Sequence, residues 1–443
     1  MSIFGTDGVR GPAGVGPLSA QGALSLAAAY GATLRAEGDD GSVVIARDTR
    51  ESGAMLAAAV SAGLSSAGVA VVDLGVLPTP ALSWWLHARP EHAGGVMITA
   101  SHNPWQDNGL KLFAAGGGKS PDRVQQAAEH RVGAPVATAA FGGVSRRDVL
   151  EPYLASLGAP GRPLAGLTVV ADSAAGAAWR ALPSALANLG AEVLPGSPEP
   201  NGRNINEGWG AVHPGALAAE VVRTGAWAGV ALDGDGDRVT LVDQEGEVHD
   251  GDAILGFLAA EMQSAGVLPG DVVVGTVTTN SGLERFLSAR GISLLRSDVG
   301  DRHVAALMAE SGARLGGESS GHVLTPDTCP TGDGLRVALD VLVRVASRGE
   351  SLSATLGVVP RDPSAKRSVR VGSRPPIDSV APLASLMREA DVALSAAGAR
   401  QLLRYSGTEP VLRIQVEGPQ LDLVERWADR LAACVRDSIP TGD

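Results

Sequence analysis

The chain has 443 residues, 44% of them hydrophobic, about three times the ~150 residues of one ordinary domain, so three or four separate cores are expected. A formal net charge of −12 excludes nucleic acid and anionic membrane surfaces as partners, because both require a basic footprint, while a local cluster of Arg and Lys in a cleft still admits an anionic substrate. Two distant cysteines, Cys329 and Cys434, with no CxxC or His pattern, exclude a disulfide framework and a zinc site.

The first ten residues have neither the basic start nor the apolar run of a secretory signal, and no window of ~18 apolar residues offers a membrane-crossing helix. A cytoplasmic location follows as the expectation. Along the chain, an apolar β-branched run followed by small or hydroxyl residues and a helix-like stretch recurs three times: VVIARDTRESG from Val43, TVVADSAAGAA from Thr168 and VVVGTVTTNSG from Val272. Each predicts a buried strand feeding a helix through a loop at the strand's carboxyl end, the building unit of a doubly wound sheet. Further short apolar runs bounded by Gly, Asp or Pro predict strands at 69–74, 95–99, 228–232 and 239–242.

The last segment changes pattern. It predicts a strand at 368–371, a helix near 380–390, strands at 401–404 and 411–417 and a helix from 421 to about 436, a smaller α+β lobe. Pro, Gly and charge accumulate near 158–166, 250 and 361–366, which places four domains at 1–158, 159–250, 251–364 and 365–443.

Four segments carry chemistry. In TASHNPWQDNGLKLF, residues 99–113, an apolar strand ends by presenting the Ser101 hydroxyl on a loop where ligands usually bind; alone, the same residues also describe a serine capping a turn. A hydrolase nucleophile fits poorly, since there is no GxSxG elbow and a neighbour such as His102 does not normally face the serine it follows. In DGDGDR, residues 233–238, Asp233, Asp235 and Asp237 alternate along an extended segment and so point one way, with Gly234 and Gly236 allowing the fold that brings them onto one hard cation. An EF-hand is excluded, because Arg238 stands where that loop needs Gly and Gln244 where it needs Glu.

In GGESSGH, residues 316–322, Glu318, Ser320 and His322 alternate in the same way, offering a carboxylate and a hydroxyl to sugar hydroxyls and an imidazole for protons, although a plain Gly-rich turn reads equally well. In RYSGTEP, residues 404–410, an Arg, two hydroxyls and the amides around Gly407 are the parts of a phosphate cradle, or of an ordinary hairpin turn. Gly118-Lys119-Ser120 imitates the end of a P-loop, but Phe113 stands where the first Gly belongs.

Taken together with FGTDGVRG at 4–11, these segments resemble, in order and spacing and over essentially the whole chain, the α-D-phosphohexomutase family. The opening octet, the GGE-x-SGH frame, VGDR at 299–302 and TGDG at 331–334 are most similar to its branch acting on glucosamine phosphates, the branches acting on mannose or glucose phosphates being the alternative. The resemblance implies three similar α/β mixed-sheet domains and a C-terminal α+β lobe around a central cleft. It implies that Ser101 carries an exchangeable phosphoryl group and, with Asp233, Asp235 and Asp237, binds Mg²⁺. Glu318 and Ser320 would hold the sugar, Arg404, Ser406, Gly407 and Thr408 would grip the phosphate that does not react, and Arg10, Lys111, His102, His322 and Arg238 would line the reaction centre.

The activity so implied interconverts glucosamine 6-phosphate and glucosamine 1-phosphate, primed by glucosamine 1,6-bisphosphate, and a homodimer is suggested. Lys111 or His322 would accept the proton of the attacking hydroxyl, Lys111 on condition that Arg10 and Mg²⁺ lower its pKa. Two positions depart from the family's pattern: Ser319 replaces a common Gln, and Tyr405 a usual Lys or Pro. A dehalogenase-type phosphatase is disfavoured because Asp237 stands where that motif wants Thr or Val, and a catalytically silent sugar-phosphate-binding protein because every expected catalytic position is filled.

Overall fold

A computed structural model of the protein describes residues 3–5, 7–135, 140–159, 161–326, 329–406 and 410–441. Four sheets succeed one another along the chain. The first contains β1 (Val9–Pro12), β2 (Ser42–Arg47), β3 (Val71–Val76), β4 (His92–Ile98), β5 (Asp107–Ala114) and β6 (Val144–Arg146), in the order β1-β5-β4-β2-β3-β6. Here β4, β2, β3 and β6 run parallel, and β5 returns antiparallel to β4. The second holds β7 (Thr168–Asp172), β8 (Glu192–Pro195), β9 (Ala228–Leu232), β10 (Val239–Asp243) and β11 (Val248–His249), ordered β11-β10-β9-β7-β8. Again β9, β7 and β8 are parallel and β10 returns antiparallel to β9.

The third sheet repeats the plan with β12 (Val272–Thr276), β13 (Ser293–Ser297), β14 (Gly316–Gly317) and β15 (Val323–Leu324): β13, β12 and β14 are parallel, and β15 returns beside β14. The fourth is antiparallel throughout, β16 (Ser364–Arg370), β18 (Val411–Glu417) and β17 (Arg400–Tyr405), and packs on the helices Ala381–Ala396 and Leu421–Ser438. The fold is therefore three mixed α/β sheets followed by an α+β unit, as the sequence predicts.

The β-branched runs of the repeat become β2, β7 and β12, each central in its sheet, because strands covered on both faces must be apolar at every position. In β2, Val43 and Ile45 face the helices Ala20–Ala36 and Gly53–Ser66, while Val44 and Ala46 face the opposite side. That opposite side merges with helices of the second and third sheets, including Ala181–Asn188, Gly251–Ser264 and Gly334–Ser347, into one apolar cluster. The last unit has a core of its own, from Ala365 to Ile439.

One consequence of this plan places the chemistry. In sheets one to three, the strand lying parallel beside the repeat strand turns back on itself, and that hairpin carries a motif: residues 99–106 between β4 and β5, 233–238 between β9 and β10, 318–322 between β14 and β15. In the fourth sheet the hairpin between β17 and β18 carries residues 406–410.

Candidate active site

Ser101 opens the first hairpin loop. It is 1% exposed, and its Oγ donates to Oδ2 of Asp233 at 2.7 Å, joining the first loop to the second. Its backbone sits at φ 52, in the left-handed region that L-residues other than Gly, Asn and Asp rarely enter. This conformation turns the adjacent imidazole back, so that His102 Nδ1 lies 3.5 Å from Ser101 Oγ. A neighbour does not normally face the serine it follows, but here His102 approaches Ser101, as its expected place at the reaction centre requires. Burial, followed by Arg238 and Arg10, pushes the His102 imidazole down to about 4.

Asp233, Asp235 and Asp237 are buried, and each offers a carboxylate oxygen within 4.8 Å of the others. Thr79 holds this loop, donating its hydroxyl to Asp235 Oδ2 at 2.6 Å and its amide to the Asp235 carbonyl at 2.9 Å. Burial, then Asp237 and Asp235, push Asp233 up to about 7, whereas for Asp237 the cost of burial is outweighed by Lys111 and His322 and the carboxyl stays well below its usual range. Oδ1 of Asp235 is buried without a hydrogen-bond partner, and Oδ1 of Asp237 meets only long ion-pair contacts. Three converging buried carboxylates, one with an unpartnered oxygen, are a hard-cation donor set, and so the residues present fit a divalent metal.

Cations ring the acids. Lys111, on β5, places Nζ 2.8 Å from Asp235 Oδ2, 3.3 Å from Asp7 and 3.6 Å from Asp237. Burial would lower its pKa, but these three carboxylates outweigh burial and Arg10 together, and Lys111 is held above the ordinary lysine range. The lowering by like charge expected for Lys111 therefore does not occur with the carboxylates free. Arg10, paired with Asp7, stands on β1 opposite Gly109. Arg238 donates its amide to Asp233 Oδ1 at 3.2 Å, and its Nε lies 3.9 Å from Asp237.

The third hairpin adds His322, with Nδ1 3.5 Å from Asp237 and Nε2 3.6 Å from Asp301. Against the effect of burial, those two carboxylates raise it to about 9. A Cβ on Gly332 would lie 2.6–2.9 Å from its ring, so the TGDG segment must have glycine there to let the imidazole in, and Gly334 donates its amide to the Gly236 carbonyl at 3.2 Å. Glu318 Oε1 accepts from the Gly300 amide at 3.0 Å, which fixes that carboxylate with the VGDR segment, and Ser320 Oγ is buried without a partner. Ser319, the departure in this loop, is half-buried, and its carbonyl accepts from Gly251.

Arg404 is the penultimate residue of β17 and Ser406 is buried just beyond the strand, while Gly407 and Thr408 lie outside the described residues. Among the described residues no hydrogen bond or ion pair joins the Arg404 side chain to the Ser101 cluster, while contacts of Ser101, Lys111 and His322 with the Asp loop gather the first three hairpins into one site. Tyr405 donates its hydroxyl to the Pro375 carbonyl at 2.8 Å, tying the fourth hairpin to its own unit.

Several residues of the cluster have no sequence signal. Lys119, from the rejected P-loop imitation, bridges Asp7 and Asp301, its Nζ 2.6 Å from Asp301 Oδ2. Arg50 and Asn206 hold the Ser101 loop from behind. Only the partners of these side chains, distant in sequence, reveal them.

Comparison with known proteins fits this geometry. Models of the phosphoglucomutase/phosphomannomutase family match residues 1–135 (alpha/beta/alpha domain I), 250–361 (alpha/beta/alpha domain III) and 368–433 (C-terminal domain). The phosphoglucosamine mutase of Symbiobacterium thermophilum is 43% identical over 99% of both chains, and that of Rhodococcus erythropolis 44% identical over 98% of this chain and 99% of the other. Among solved structures, a phosphoglucomutase/phosphomannomutase family protein from Burkholderia thailandensis superposes with a TM-score of 0.83 at 28% identity, covering 100% of this chain and 98% of that one. The N-acetylphosphoglucosamine mutase of Aspergillus fumigatus, solved with GlcNAc-6P and magnesium, shares the fold at a TM-score of 0.61 and 18% identity, over 81% of this chain and 92% of its own. With identity above 40% sustained from end to end, the chain belongs to the phosphoglucosamine mutases of the phosphoglucomutase/phosphomannomutase family and is an isomerase-class enzyme that transfers a phosphoryl group within its substrate.

Proposed function

We propose that this enzyme interconverts glucosamine 6-phosphate and glucosamine 1-phosphate through a phosphorylated Ser101 and a glucosamine 1,6-bisphosphate that reverses in the cleft. The observation that carries the reading is the 2.7 Å contact between Ser101 Oγ and Asp233, inside a cluster of three buried carboxylates. A serine hydroxyl that donates to one member of a cation-binding cluster stands where a phosphoryl group on that oxygen would meet the cation.

In the forward direction, the phosphoryl group leaves Ser101 Oγ for the O1 hydroxyl of glucosamine 6-phosphate. The hydroxyl proton passes to a base, and the serine oxygen is left as the alkoxide or takes up a proton. The bisphosphate then turns, its 6-phosphoryl group returns to Ser101, and glucosamine 1-phosphate departs, so one phosphoryl is lent and one recovered. Asp233, Asp235 and Asp237, with an oxygen of the phosphoserine, would hold Mg²⁺, which would supply charge compensation for the transferring group. Lys111 and His322, both set against the Asp loop, are the side chains placed to accept the hydroxyl proton. Arg10, Arg238 and His102 line the transferring group, Glu318 and Ser320 hold sugar hydroxyls, and Arg404 with Ser406, Gly407 and Thr408 grips the phosphate that is not reacting. Each of four domains, 1–158, 159–250, 251–364 and 365–443, supplies one loop.

The test compares turnover on glucosamine 6-phosphate, glucose 6-phosphate and mannose 6-phosphate, with Mg²⁺ and a trace of each matching 1,6-bisphosphate. A clear preference for the aminosugar is expected. Preference for glucose or mannose would move the specificity assignment to the loop holding Ser319, and full turnover by Ser101→Ala would end the phosphoserine mechanism.

A further inference from the structure

The Ser101 loop is held by an arrangement that the reaction scheme does not use. Among the described residues, five other than glycine have positive φ, and four of them, Ser101, Ala174, Ala175 and Asn206, belong to one network. Asn206 donates its amide to the Ala174 carbonyl at 2.9 Å, and Thr49, two residues beyond β2, donates its hydroxyl to the Ala175 carbonyl at 2.6 Å. The Asn206 side-chain Nδ2 donates to two carbonyls of the serine loop, Ser101 at 2.8 Å and Asn103 at 3.0 Å. Left-handed backbone at residues other than glycine persists only where surrounding bonds fix it, and clusters of it mark sites where geometry is held against strain.

The same two carbonyls take a second donor. Arg50, 1% exposed, reaches Ser101 O and Asn103 O through Nη2, both at 2.9 Å, and Asp107 O at 2.9 Å and Pro104 O through Nη1. Its charge is balanced by the fully buried Asp48, which also accepts from Thr99 Oγ1 at 2.6 Å, and that oxygen in turn accepts the Ser101 amide at 2.9 Å. The serine is therefore fixed at both ends of its peptide unit. Arg50 comes from the serine's own sheet, but Asn206 comes from the segment after β8, in the second sheet. It also touches the Asp loop: a Cβ at Gly234 would lie 2.5 Å from Ser101 O and 2.8 Å from Asn206 Nδ2. Asn206 thus stands where the backbones of the serine loop and the cation loop press against each other.

We propose that Asn206 is a positioning residue for phosphoryl transfer, setting Ser101 Oγ against the Asp loop by holding the Ser101 and Asn103 carbonyls; this rests on the reading of Ser101 as the phosphoryl carrier. Asn206 is buried and both its Nδ2 hydrogen bonds go to loop carbonyls, so on this proposal it acts on the transfer rate and not on the binding of sugar phosphate. Displacing a reacting atom by about 1 Å costs on the order of 10²-fold in rate.

The experiment uses the full chain with Asn206→Gly and Asn206→Asp, both suited to a φ of 61, so the backbone keeps its conformation while the two donors are lost. Phosphate on Ser101 is quantified by mass spectrometry, and single-turnover transfer to glucosamine 6-phosphate is expressed per phosphorylated enzyme, which removes any unfolded fraction from the comparison. The expected result is a fall of about 10- to 100-fold in this rate, larger for Asp, with KM changed less than about 3-fold. Rates within about 3-fold of the natural protein, or rates and KM moving by the same factor, would overturn the positioning role. Failure of the underlying reading looks different: the natural protein would carry no phosphate at Ser101, and Ser101→Ala would keep its turnover.

Discussion

Adding a divalent cation to the dephosphorylated protein should expel a proton, and the amount is set by the Asp cluster. Asp233 is pushed up to about 7 by burial and by Asp237 and Asp235, while Asp237 is held well below its usual range by Lys111 and His322. At pH 6 the cluster therefore holds one proton that a cation on all three carboxylates must displace, and at pH 8 it holds almost none. With Asp233 near 7, its own share of the release is about 0.9 proton per Mg²⁺ at pH 6 and about 0.1 at pH 8, and that share weakens the apparent Kd about 10-fold from pH 8 to 6 and about 100-fold from pH 8 to 5. Titration calorimetry at pH 6 in two buffers of different ionisation enthalpy counts that proton directly.

Ser101 Oγ donates to Asp233 and favours its ionised form, so Ser101→Ala should move the midpoint of proton release upward. Asp233→Asn should abolish the release and weaken binding. Equal heats in the two buffers at pH 6, together with a Kd independent of pH, would refute the account of the cluster.

Three further outcomes are expected. Asp252, buried and pushed up to about 7 by burial and by Asp250, binds a proton in the folded state where the unfolded chain has lost it, so its contribution to stability falls as pH rises from ~4 to ~7, by at most about 4 kcal/mol. Asp252→Asn, still able to accept from the Asn280 amide, should flatten the dependence of Tm on pH in that window, and parallel profiles would refute this. Arg400 pairs with the buried Glu417 at 2.6 Å and donates to the Val277 and Thr279 carbonyls, joining the fourth sheet to the third. Arg400→Ala removes the cation beside that buried carboxylate, leaving it the Ser281 amide and the Gln415 side chain, at a cost on the order of 3 kcal/mol; limited proteolysis should then cut faster near 361–381, and an unchanged cleavage pattern would count against the joint. Arg404→Ala should raise KM for sugar phosphate about 10-fold or more with a smaller change in kcat, and an unchanged KM would remove Arg404 from the phosphate grip.

How much of this was legible in the sequence depends on how local the cause is. The repeat strands β2, β7 and β12 announce themselves because a strand covered on both faces must be apolar throughout, and β9, β10 and β18 follow from the same run-and-turn signal within a residue of their predicted bounds. The Asp loop is legible because three alternating carboxylates are improbable without a cation. Arg50 is not: it follows the first repeat strand looking like any solvated arginine, and its burial comes with carbonyls 51 and 53 residues away. Lys119 was legible only as a failed P-loop, since Asp7 and Asp301 lie 112 and 182 residues from it in the chain. The closeness of His102 to Ser101 needed a backbone angle that no residue type there demands.

The sheet plan explains why the first three hairpins converge. A loop at the carboxyl end of a parallel strand is open to ligand, and an immediate antiparallel return keeps it short, so its side chains are aimed by two paired strands at once. Sheets one to three share a continuous apolar cluster, which fixes their three hairpins relative to one another: Ser101 on Asp233, Lys111 on Asp235 and His322 beside Asp237 are contacts between sheets. The fourth sheet carries a separate core and meets the third through polar joints, Arg400 donating to the Val277 and Thr279 carbonyls and Glu417 accepting from the Ser281 amide. On the proposed mechanism the bisphosphate must let go of one end and turn while the reacting groups stay in register. A phosphate grip mounted on the one unit whose core is its own can yield without disturbing the other three loops, which is the division of labour that such a reversal requires.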